Sequence, residues 1–301
     1  MDKMLSTREV AQFLGVHEKI IYSMITEKGL PASKVSGKWL FPLKLVEQWV
    51  LSRTVNLPAA AREAARDDVL VVAGSNDLLL DRILALLMAE NPQVLAAFAN
   101  LGSLGGIRAL RCGRCQVAAS HLAQEDGEEF NFAFCREELP ELPAVVNLAR
   151  REQGLLLPAG NPQRVRSMAD LVRQGLTVVN RAPGTGTRLL FEREIARAGG
   201  APAALPGWDR VAPRHLDAGL AVLRGQAQAA PGIRAVAGEL GLDFLPLAWE
   251  RYDLLIPRNR FFEQPVQLLL NLLHEDRCKA LAADLAGYDL SMTGRTVFPK
   301  E

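Results

Sequence analysis

The chain has 301 residues, of which 49% are apolar and 23% charged, and its formal net charge at pH 7 is +1. These proportions exclude an intrinsically disordered chain and are typical of a globular protein of two or three domains. No stretch approaches the roughly 18 uninterrupted apolar residues of a membrane helix, so we expect a cytoplasmic protein without a membrane partner.

The first predicted elements are two short helices. Ser6 and Glu9 form a capping box that starts the first helix, and Gly15 ends it. Apolar residues recur at helical spacing in both segments: Val10, Phe13 and Leu14 in the first, Ile20, Ile21, Met24 and Ile25 in the second. Two such helices joined by a glycine turn predict a helix-turn-helix.

A wing and a third helix are predicted next. Two short strands flank Ser36 and Gly37, and they carry Lys34 and Lys38. The closing helix, residues 43–51, is expected to bury Leu45, Val46 and Trp49.

Positive charge is concentrated in this segment. Residues 1–56 contain eight Lys and Arg against five Asp and Glu, whereas the remainder contains 27 against 29. A positive helical module is a candidate for DNA binding. The side chains of the second helix and the wing that could contact phosphates or base edges are His17, Lys19, Tyr22, Ser23, Lys34 and Lys38.

The runs "TREVAQFLGV" and "KVSGKWLF", followed by a short helix with a tryptophan, resemble the excisionase-like, MerR-related winged helix-turn-helix modules. The match covers about fifty residues, and its three pieces occur in the same order. The resemblance implies that residues 1–54 bind operator DNA. Modules of this kind also serve as protein-interaction domains, which remains an alternative.

The rest of the chain follows a predicted linker, residues 55–68, which is rich in alanine and charge. From Val69 onward, short apolar strands alternate with helical runs. The first strand is "VLVV", a later one is "CQVAASHL", and "LTVV" precedes the loop "NRAPGTGTR". This alternation predicts an α/β fold with an open sheet and ligand contacts at the carboxyl ends of the strands.

Three strand-to-helix turns carry small polar residues. The first contains Ser75 and Asn76, the second contains Ser103, and the third is the glycine-rich loop at residues 184–188. Free amides at helix starts and nearby hydroxyls bind anions, and Gly186 lets the backbone approach closely. Such residues are also ordinary helix caps. Three in one domain favour a site for a small oxyanion, held mainly by hydroxyls and amides with few or no salt bridges.

Two similar segments, "RREQGLLLPAGN" and "WERYDLLIPRN", predict strands that cross between two lobes. The first lobe would contain residues 69–150 and 256–301, and the second lobe residues 151–255. A ligand is then expected in the cleft between the lobes.

Four motifs, "GSLGGIRALRCG", "NRAPGTGTRLLFE", "GLDFLPLAWERYDLLIP" and "GYDLSMTG", resemble cytoplasmic substrate-binding domains related to molybdate-binding proteins. These domains have the two-lobed type II periplasmic-binding-protein fold and are often fused to helix-turn-helix modules in bacterial and archaeal regulators. The resemblance spans nearly all of residues 69–294. It implies that a tetrahedral oxyanion such as molybdate or tungstate contacts Ser75, Ser103, Thr185, Thr187, Arg188 and Tyr252. The turn residues and the retained histidine add Asn76, Gly186 and His121 to the candidate ligand contacts.

The chain departs from that family pattern after His215. Gln228 stands where relatives have an acid, and Ala230 and Pro231 replace glycine-rich backbone. Sulfate and larger organic anions therefore remain open as ligands.

The sequence shows no recognisable catalytic motif. There are four histidines, and none belongs to a known nucleophile, Walker or zinc-protease motif. Cys112 and Cys115 form a C-x-x-C pair, but no second pair completes a tetrahedral metal site. We expect no catalysis, no cofactor and no bound metal, and assign no role to the cysteine pair.

The leading hypothesis is a ligand-responsive transcription regulator that binds DNA as a homodimer or larger homo-oligomer, since DNA half-sites are commonly paired. One alternative is a sensor or carrier module of molybdenum cofactor metabolism that does not bind DNA. Another is an accessory factor for recombination. The operator and the sign of regulation are left open.

Overall fold

The structure is a computed structural model, and it describes residues 3–35, 37–51, 53–55, 68–124 and 129–299. The chain divides into two compact units, residues 1–66 and 67–301. The predicted wing tip at Ser36 and all but the two end residues of the predicted linker lie outside the described residues. Within the described ranges, no helix is long and apolar enough to cross a membrane.

The first unit is a winged helix-turn-helix. Its elements are β1 (Met4–Ser6), α1 (Thr7–Leu14), α2 (Glu18–Lys28), β2 (Ser33–Val35), β3 (Lys38–Pro42) and α3 (Leu43–Leu51). The strands form an antiparallel sheet with β3 in the middle. The predicted capping box is confirmed, because the amide of Glu9 donates to Ser6 Oγ and the amide of Ser6 donates to Glu9 Oε2. Gly15 ends α1 with a φ of 66°, a conformation that glycine adopts without strain.

The core of this unit uses one face of each helix. Its buried members are Leu5, Val10, Ala11, Ile21, Leu30, Phe41 and Val46. The prediction that Leu45 is buried is wrong, since its side chain is 45% exposed. Residues three positions apart share a helix face, and the face of α3 that packs on the core is formed by Leu43, Val46 and Trp49. Two other apolar residues of the periodic runs are also exposed, Phe13 and Ile20.

The second unit opens with the predicted alternation of strands and helices. The elements are β4 (Val69–Gly74), α4 (Leu78–Glu90), β5 (Leu95–Asn100), α5 (Gly102–Arg111), β6 (Val117–Ser120), α6 (Phe132–Glu138) and β7 (Ala144–Leu157). Strand β4 pairs in parallel with β5 on one side and with β6 on the other. The carboxyl ends of these strands therefore meet at one edge of the sheet, where ligands bind in open α/β folds.

The remaining elements follow β7. They are α7 (Met168–Gln174), β8 (Asn180–Arg181), α8 (Gly186–Arg197), a 3-10 helix (Pro202–Ala204), β9 (Val211–Ala212), α9 (His215–Leu223), β10 (Ala230–Ile233), α10 (Arg234–Leu240), β11 (Asp243–Ile256), α11 (Gln264–Leu272), α12 (Asp276–Ala283), β12 (Tyr288–Asp289) and β13 (Thr296–Val297). The strand predicted over "LTVV" is reduced to a bridge between Val178 and Ala229. The pairing continues instead between β8 and β9.

Strands β7 and β11 are the long strands that cross between the lobes. Each has 14 residues, and they pair in antiparallel fashion from Ala144 opposite Ile256 to Leu157 opposite Asp243. The main sheet has the order β10-β7-β11-β6-β4-β5, and β12 and β13 also pair with β7. One sheet thus runs through both lobes. We keep the names first lobe and second lobe for the predicted ranges.

Among the described residues of the second unit, three clusters of buried apolar side chains form the core. The largest spans both lobes and includes Leu79 of α4 and Val222 of α9. A second fills the second lobe, where the rings of Phe191 and Trp208 stack with centroids 5.7 Å apart. A third surrounds Ile107 of α5 in the first lobe. The packed cores hold the polar residues between the lobes on a rigid frame.

Candidate functional site

Three predicted residues of the first lobe meet at the sheet edge. Ser75 follows β4, and its amide donates to the carbonyl of Ala119 at 2.9 Å. Its hydroxyl oxygen lies 2.9 Å from Nε2 of His121, which follows β6. The amide of His121 in turn donates to Ser103 Oγ at 3.3 Å. The parallel pairing of the strands therefore gathers these three buried side chains into one cluster.

The glycine-rich loop approaches this cluster from the second lobe. Gly186 packs against His121, because a Cβ atom at residue 186 would lie 2.7 Å from two atoms of the imidazole ring. Thr187 Oγ1 accepts a hydrogen bond from Gln153 Nε2 at 2.9 Å. Thr185 caps α8, accepting from the amide of Arg188 and donating to the carbonyl of Ala182. The loop thus brings a glycine and one threonine to the cluster, while the other threonine hydroxyl caps a helix.

The predicted ligand contacts Arg188 and Tyr252 both use their polar groups for contacts within the protein. The Arg188 guanidinium pairs with Glu192 at 2.9 Å and lies 4.9 Å from the ring centroid of Trp208. The Tyr252 hydroxyl donates to the carbonyl of Ser75 at 2.5 Å. Tyr252 therefore positions the Ser75 turn. Ligand contact by either residue stays a prediction.

Arg181 links the two lobes at the predicted Asn76. It is 2% exposed, and its Nη2 donates to Asn76 Oδ1 at 3.2 Å while Nη1 donates to the carbonyl of Ala212 at 2.8 Å. No described carboxylate lies within ion-pair distance of it. Burial and the neighbouring charge of Arg151 lower the pKa of the Arg181 guanidinium to about 10, against the charge of Asp217, so it is a cation at pH 7. A buried cation without an ionic partner favours a bound anion.

A second buried arginine is surrounded by carboxylates. The register of β7 and β11 places Arg151 directly opposite Glu250, and its Nε donates to Glu250 Oε1. Its Nη1 donates to Asp77 Oδ2 at 2.8 Å. The other Glu250 oxygen lies 2.7 Å from His121 Nδ1. The crossing strands are thereby tied to the first lobe through charge.

Burial and charge set the protonation states of this network. Burial alone would raise the pKa of Glu250, but Arg151 and His121 hold it at about 2. Burial lowers the pKa of His121 more than the adjacent Glu250 raises it. Burial and the charges of Arg181 and Arg151 place the pKa of His215 well below its usual value. At pH 7 the glutamate is ionised and both histidines are neutral.

Several buried donors of the cluster have no hydrogen-bond partner among the described residues. They are Nη2 of Arg151, Nε of Arg181, the amide nitrogen of Asn180 and the protonated ring nitrogen of His215. The acceptors in the same situation are the other ring nitrogen of His215, Oε1 of Gln153 and Oδ1 of Asn147. Because proteins pair nearly all buried polar groups, this excess of donors is chemistry suited to a bound anion.

Arg151, Arg181, His215 and Glu250 were not among the predicted site residues, although the sequence contained a signal for most of them. "RREQG" and "WERYD" place charges within the segments predicted to form the crossing strands, and buried charges are rare unless they are paired. Arg181 stands within the same quoted loop as the predicted threonines. Three-dimensional pairing was needed to identify its role.

The departures from the family pattern have structural contacts in the second lobe. Gln228 Oε1 accepts from the amide of Thr177 at 3.0 Å. Pro231 lies on β10, an edge strand of the sheet, where a residue without an N–H is tolerated. The substitutions are accommodated by the fold of this lobe.

A cavity of about 710 Å³ lies beside the cluster, bounded by both lobes. His121, Gly186 and Glu250 form part of its wall. The rest of the wall is mostly apolar and includes Phe130, Phe134, Leu189, Leu190 and Trp249. Its volume is in the range of small-molecule pockets, roughly 300–1,000 Å³.

The predicted DNA-contact residues lie on α2 and the wing. Lys19, Tyr22, Lys34 and Lys38 are exposed. The exposed His17 caps α2, with its Nδ1 accepting from the amide of Lys19. The Ser23 hydroxyl donates to the backbone carbonyl of Ile20 at 3.0 Å. Their contact with DNA stays a prediction.

The cysteine pair is divided by burial. Cys112 is exposed, whereas Cys115 is buried and its pKa is raised by burial to about 11. Among the described residues, no group of three or more His, Cys, Asp or Glu side chains is placed to hold a metal ion.

Two family models match the chain. The model for the PBP superfamily domain matches residues 84–274, and the model for a helix-turn-helix domain matches residues 4–54. An uncharacterized protein of Bacillus subtilis (strain 168), YvgK, is 27% identical over 300 residues, which cover 96% of each chain. A Clostridium pasteurianum protein, from the 5′ region of a 2Fe-2S ferredoxin gene, is 31% identical over 110 residues, 36% of this chain and 97% of its own.

Solved structures with a similar fold include two anion-transport proteins. A phosphate-bound putative substrate-binding protein of a phosphate ABC transporter from Clostridium perfringens gives a TM-score of 0.57 at 11% identity, covering 77% of this chain and 100% of its own. The tungstate ABC transporter structure from Geobacter sulfurreducens gives 0.53 at 13% identity, covering 73% and 99%. At these identities the likeness shows a shared fold.

Proposed function

The chain belongs to the PBP superfamily and carries a helix-turn-helix domain, a combination that supports a ligand-binding regulator. We propose that this protein is a transcriptional regulator that senses a small oxyanion. The proposed protein binds operator DNA in the cytoplasm as a homodimer or larger homo-oligomer. Molybdate and tungstate are the first candidate ligands. The observation that carries this proposal is the buried Arg181, which has no ionic partner among the described residues.

The position of Arg181 suggests how a bound anion would act on the lobes. Its guanidinium belongs to the second lobe and donates to Asn76 of the first. An anion held by this guanidinium and by the Ser75 and Ser103 turns would contact both lobes at once. Such a ligand binds the closed arrangement of the lobes more tightly than an open one, and this difference in affinity is what shifts a conformational equilibrium.

The experiment is calorimetric titration of the full chain with molybdate, tungstate, sulfate and phosphate. We expect Arg181→Met to weaken binding of the preferred anion about 10- to 100-fold, since a hydrogen bond to a charged group contributes roughly 1.5–3 kcal/mol and Nε of Arg181 has no partner among the described residues. The matched control is Arg197→Met, an exposed arginine on α8, which should bind as the parent does. Equal binding by Arg181→Met would place the site elsewhere, and no binding of any of the four anions would refute the oxyanion proposal.

A second candidate ligand, an organic anion, is favoured by the cavity of about 710 Å³ beside His121. The charged group of such a molecule would lie at the His121 end of the cavity, toward the cluster, and its apolar body would lie against Phe134 and Trp249. Leu190→Trp, which fills the cavity, should abolish binding of a phosphorylated or carboxylated aromatic compound and leave inorganic anions unaffected. The opposite pattern would exclude this candidate.

Regulation requires that the anion changes DNA binding. The two units of the full chain can be tested together by measuring affinity for fragments of the promoter next to its own gene, with and without the anion. A change of affinity is expected. Binding of an anion without any DNA affinity would favour the sensor or carrier alternative, and DNA binding that no anion alters would favour the recombination factor.

A further inference from the structure

His121 lies between a hydroxyl and a carboxylate, one at each ring nitrogen. Its Nε2 is 2.9 Å from Ser75 Oγ, and its Nδ1 is 2.7 Å from Glu250 Oε2. The side chain is 1% exposed. Water therefore has little access to either nitrogen, and the two contacts determine where its protons reside.

The neutral imidazole can occupy only one tautomer in this setting. Glu250 is ionised, so both its oxygens accept hydrogen bonds, and the N–H of a neutral His121 must lie on Nδ1. A bare Nδ1 at 2.7 Å from the carboxylate would oppose two lone pairs. Nε2 is then an acceptor, and the single proton of the Ser75 hydroxyl is donated to it. In this state Ser75 presents lone pairs to the cleft and cannot donate to an anion.

The charges around His121 give no net positive charge in the same state. The buried cations are Arg151 and Arg181, and they face the buried carboxylates Asp77 and Glu250. The pKa of His215 is lowered and that of Tyr252 is raised, each chiefly by burial, so both groups are neutral at pH 7. Asp217, which acts on Arg181, and Asp81, whose pKa is about 6 and which acts on Tyr252, add negative charge. A fully ionised oxyanion would meet a cluster without net positive charge and an acceptor at Ser75.

We propose that the cluster binds a fully ionised oxyanion together with one proton, which His121 takes up. This inference rests on the proposed oxyanion function. A proton from solvent bonds to Nε2, and the new N–H donates to Ser75 Oγ. The Ser75 hydroxyl rotates and donates its own proton to an oxygen of the anion. Nδ1–H stays on Glu250, and the cluster gains one positive charge.

The same geometry distinguishes two kinds of oxyanion. Sulfate and tungstate carry no proton at neutral pH, so they require the uptake at His121. Hydrogen phosphate retains a P–OH group, which can donate to the Ser75 oxygen while the histidine stays neutral. Hydrogen phosphate thus brings its own proton to the site, whereas binding of sulfate or tungstate requires a proton from solvent.

The sign of the pH dependence follows from linkage. A bound dianion raises the pKa of His121 above its value in the free protein, which burial has lowered. The affinity for sulfate or tungstate is highest, and independent of pH, below the pKa of His121 in the free protein. Between the free and the bound pKa it falls by about tenfold for each unit of rising pH.

The test is titration calorimetry of the full chain with sulfate, tungstate and phosphate between pH 6 and 9, in two buffers that differ in ionisation enthalpy. When sulfate or tungstate binds, the protein should take up at most about one proton, and when phosphate binds at pH 8 it should take up close to none. The variant His121→Gln retains an N–H at the position of Nε2 and leaves the Ser75 hydroxyl free to donate. It should bind sulfate or tungstate without proton uptake and with a flat pH profile.

The outcomes separate this inference from the function on which it rests. Sulfate or tungstate binding that is independent of buffer and of pH throughout the range would overturn the proton coupling and leave the oxyanion site standing. Uptake that persists in His121→Gln would assign the proton to another group and also overturn it. Failure of all three anions to bind the parent protein at every pH would overturn both.

Discussion

Arg151 and Asp77 form a buried ion pair, Nη1 to Oδ2 at 2.8 Å, that joins crossing strand β7 to the start of α4. The other oxygen of Asp77 caps α4, accepting from the amides of Leu79 and Leu80. Arg151 also pairs with Glu250 on β11 and lies 4.2 Å from the ring centroid of Tyr252. One guanidinium therefore connects both crossing strands to a helix of the first lobe.

Arg151→Met should strongly destabilise the protein. The change leaves Asp77 and Glu250 buried without their cation, and breaking a buried pair from one side costs about 3–5 kcal/mol. Urea unfolding, followed by circular dichroism, should show this loss in the transition of the second unit. The control is Arg150→Met at the adjacent, half-exposed position, whose pair with Asp289 is at 3.5 Å. It should change the free energy of unfolding by less than about 1 kcal/mol, and similar losses for both variants would contradict a special role for the buried network.

Acid should weaken the protein through Glu250. Its pKa is about 2 in the folded state against an ordinary value of 4.5, so its contribution is fully present above pH 4.5 and is lost as pH falls toward 2. The difference corresponds to a contribution on the order of 3 kcal/mol. Urea unfolding between pH 6 and 3 should give a shallower slope of stability against pH for Glu250→Gln than for the parent. Equal slopes would show that Glu250 titrates normally.

Gly186→Ala should weaken anion binding by about tenfold or more without unfolding the protein. The new methyl group would meet the His121 ring at 2.7 Å, and this ring is held by Ser75 and Glu250. Alanine is otherwise favourable at the first residue of a helix. Gly238→Ala, on α10, is the matched control because its methyl group would lie at an ordinary 3.8 Å from Ala286. Unchanged sulfate or tungstate affinity in the Gly186 variant would show that the loop does not close on His121.

Lys19→Ala and Lys38→Ala should each flatten the salt dependence of DNA binding. A lysine on a phosphate releases about one counterion, so each change should reduce the slope of log affinity against log salt by about 0.9. Because contacts with phosphates do not depend on base sequence, the affinity for a duplex of arbitrary sequence can be measured by fluorescence anisotropy at several salt concentrations. Lys279→Ala in α12, which removes an exposed lysine paired with Asp276, is the control. Slopes that match the control would exclude α2 and the wing as the DNA surface.

Much of the fold could be predicted because local rules decide it. The Ser6 and Glu9 capping box and the Gly15 terminus require only neighbouring residues, and α1 begins and ends where they indicate. The apolar segments at 150–161 and 249–259 likewise predicted two crossing strands, since strand pattern depends on nearby sequence. The polar turns after β4 and β5 were found by the same reasoning and His121 by the family resemblance, and parallel pairing brings Ser75 and His121 together.

The sequence by itself determined these elements and the polar turns, whereas the tertiary structure decided which charges meet. An irregularity between Pro246 and Ala248 shifts the pairing of β11 with β7 by one residue, so Glu250 lies opposite the buried Arg151. Without the shift it would lie opposite Arg150, which is half exposed. Because side chains alternate between the two faces of a strand, one residue of register changes the partner and the environment together. Local sequence patterns do not fix the register between residues 99 positions apart, and the network of Arg151, Glu250 and His121 is its product.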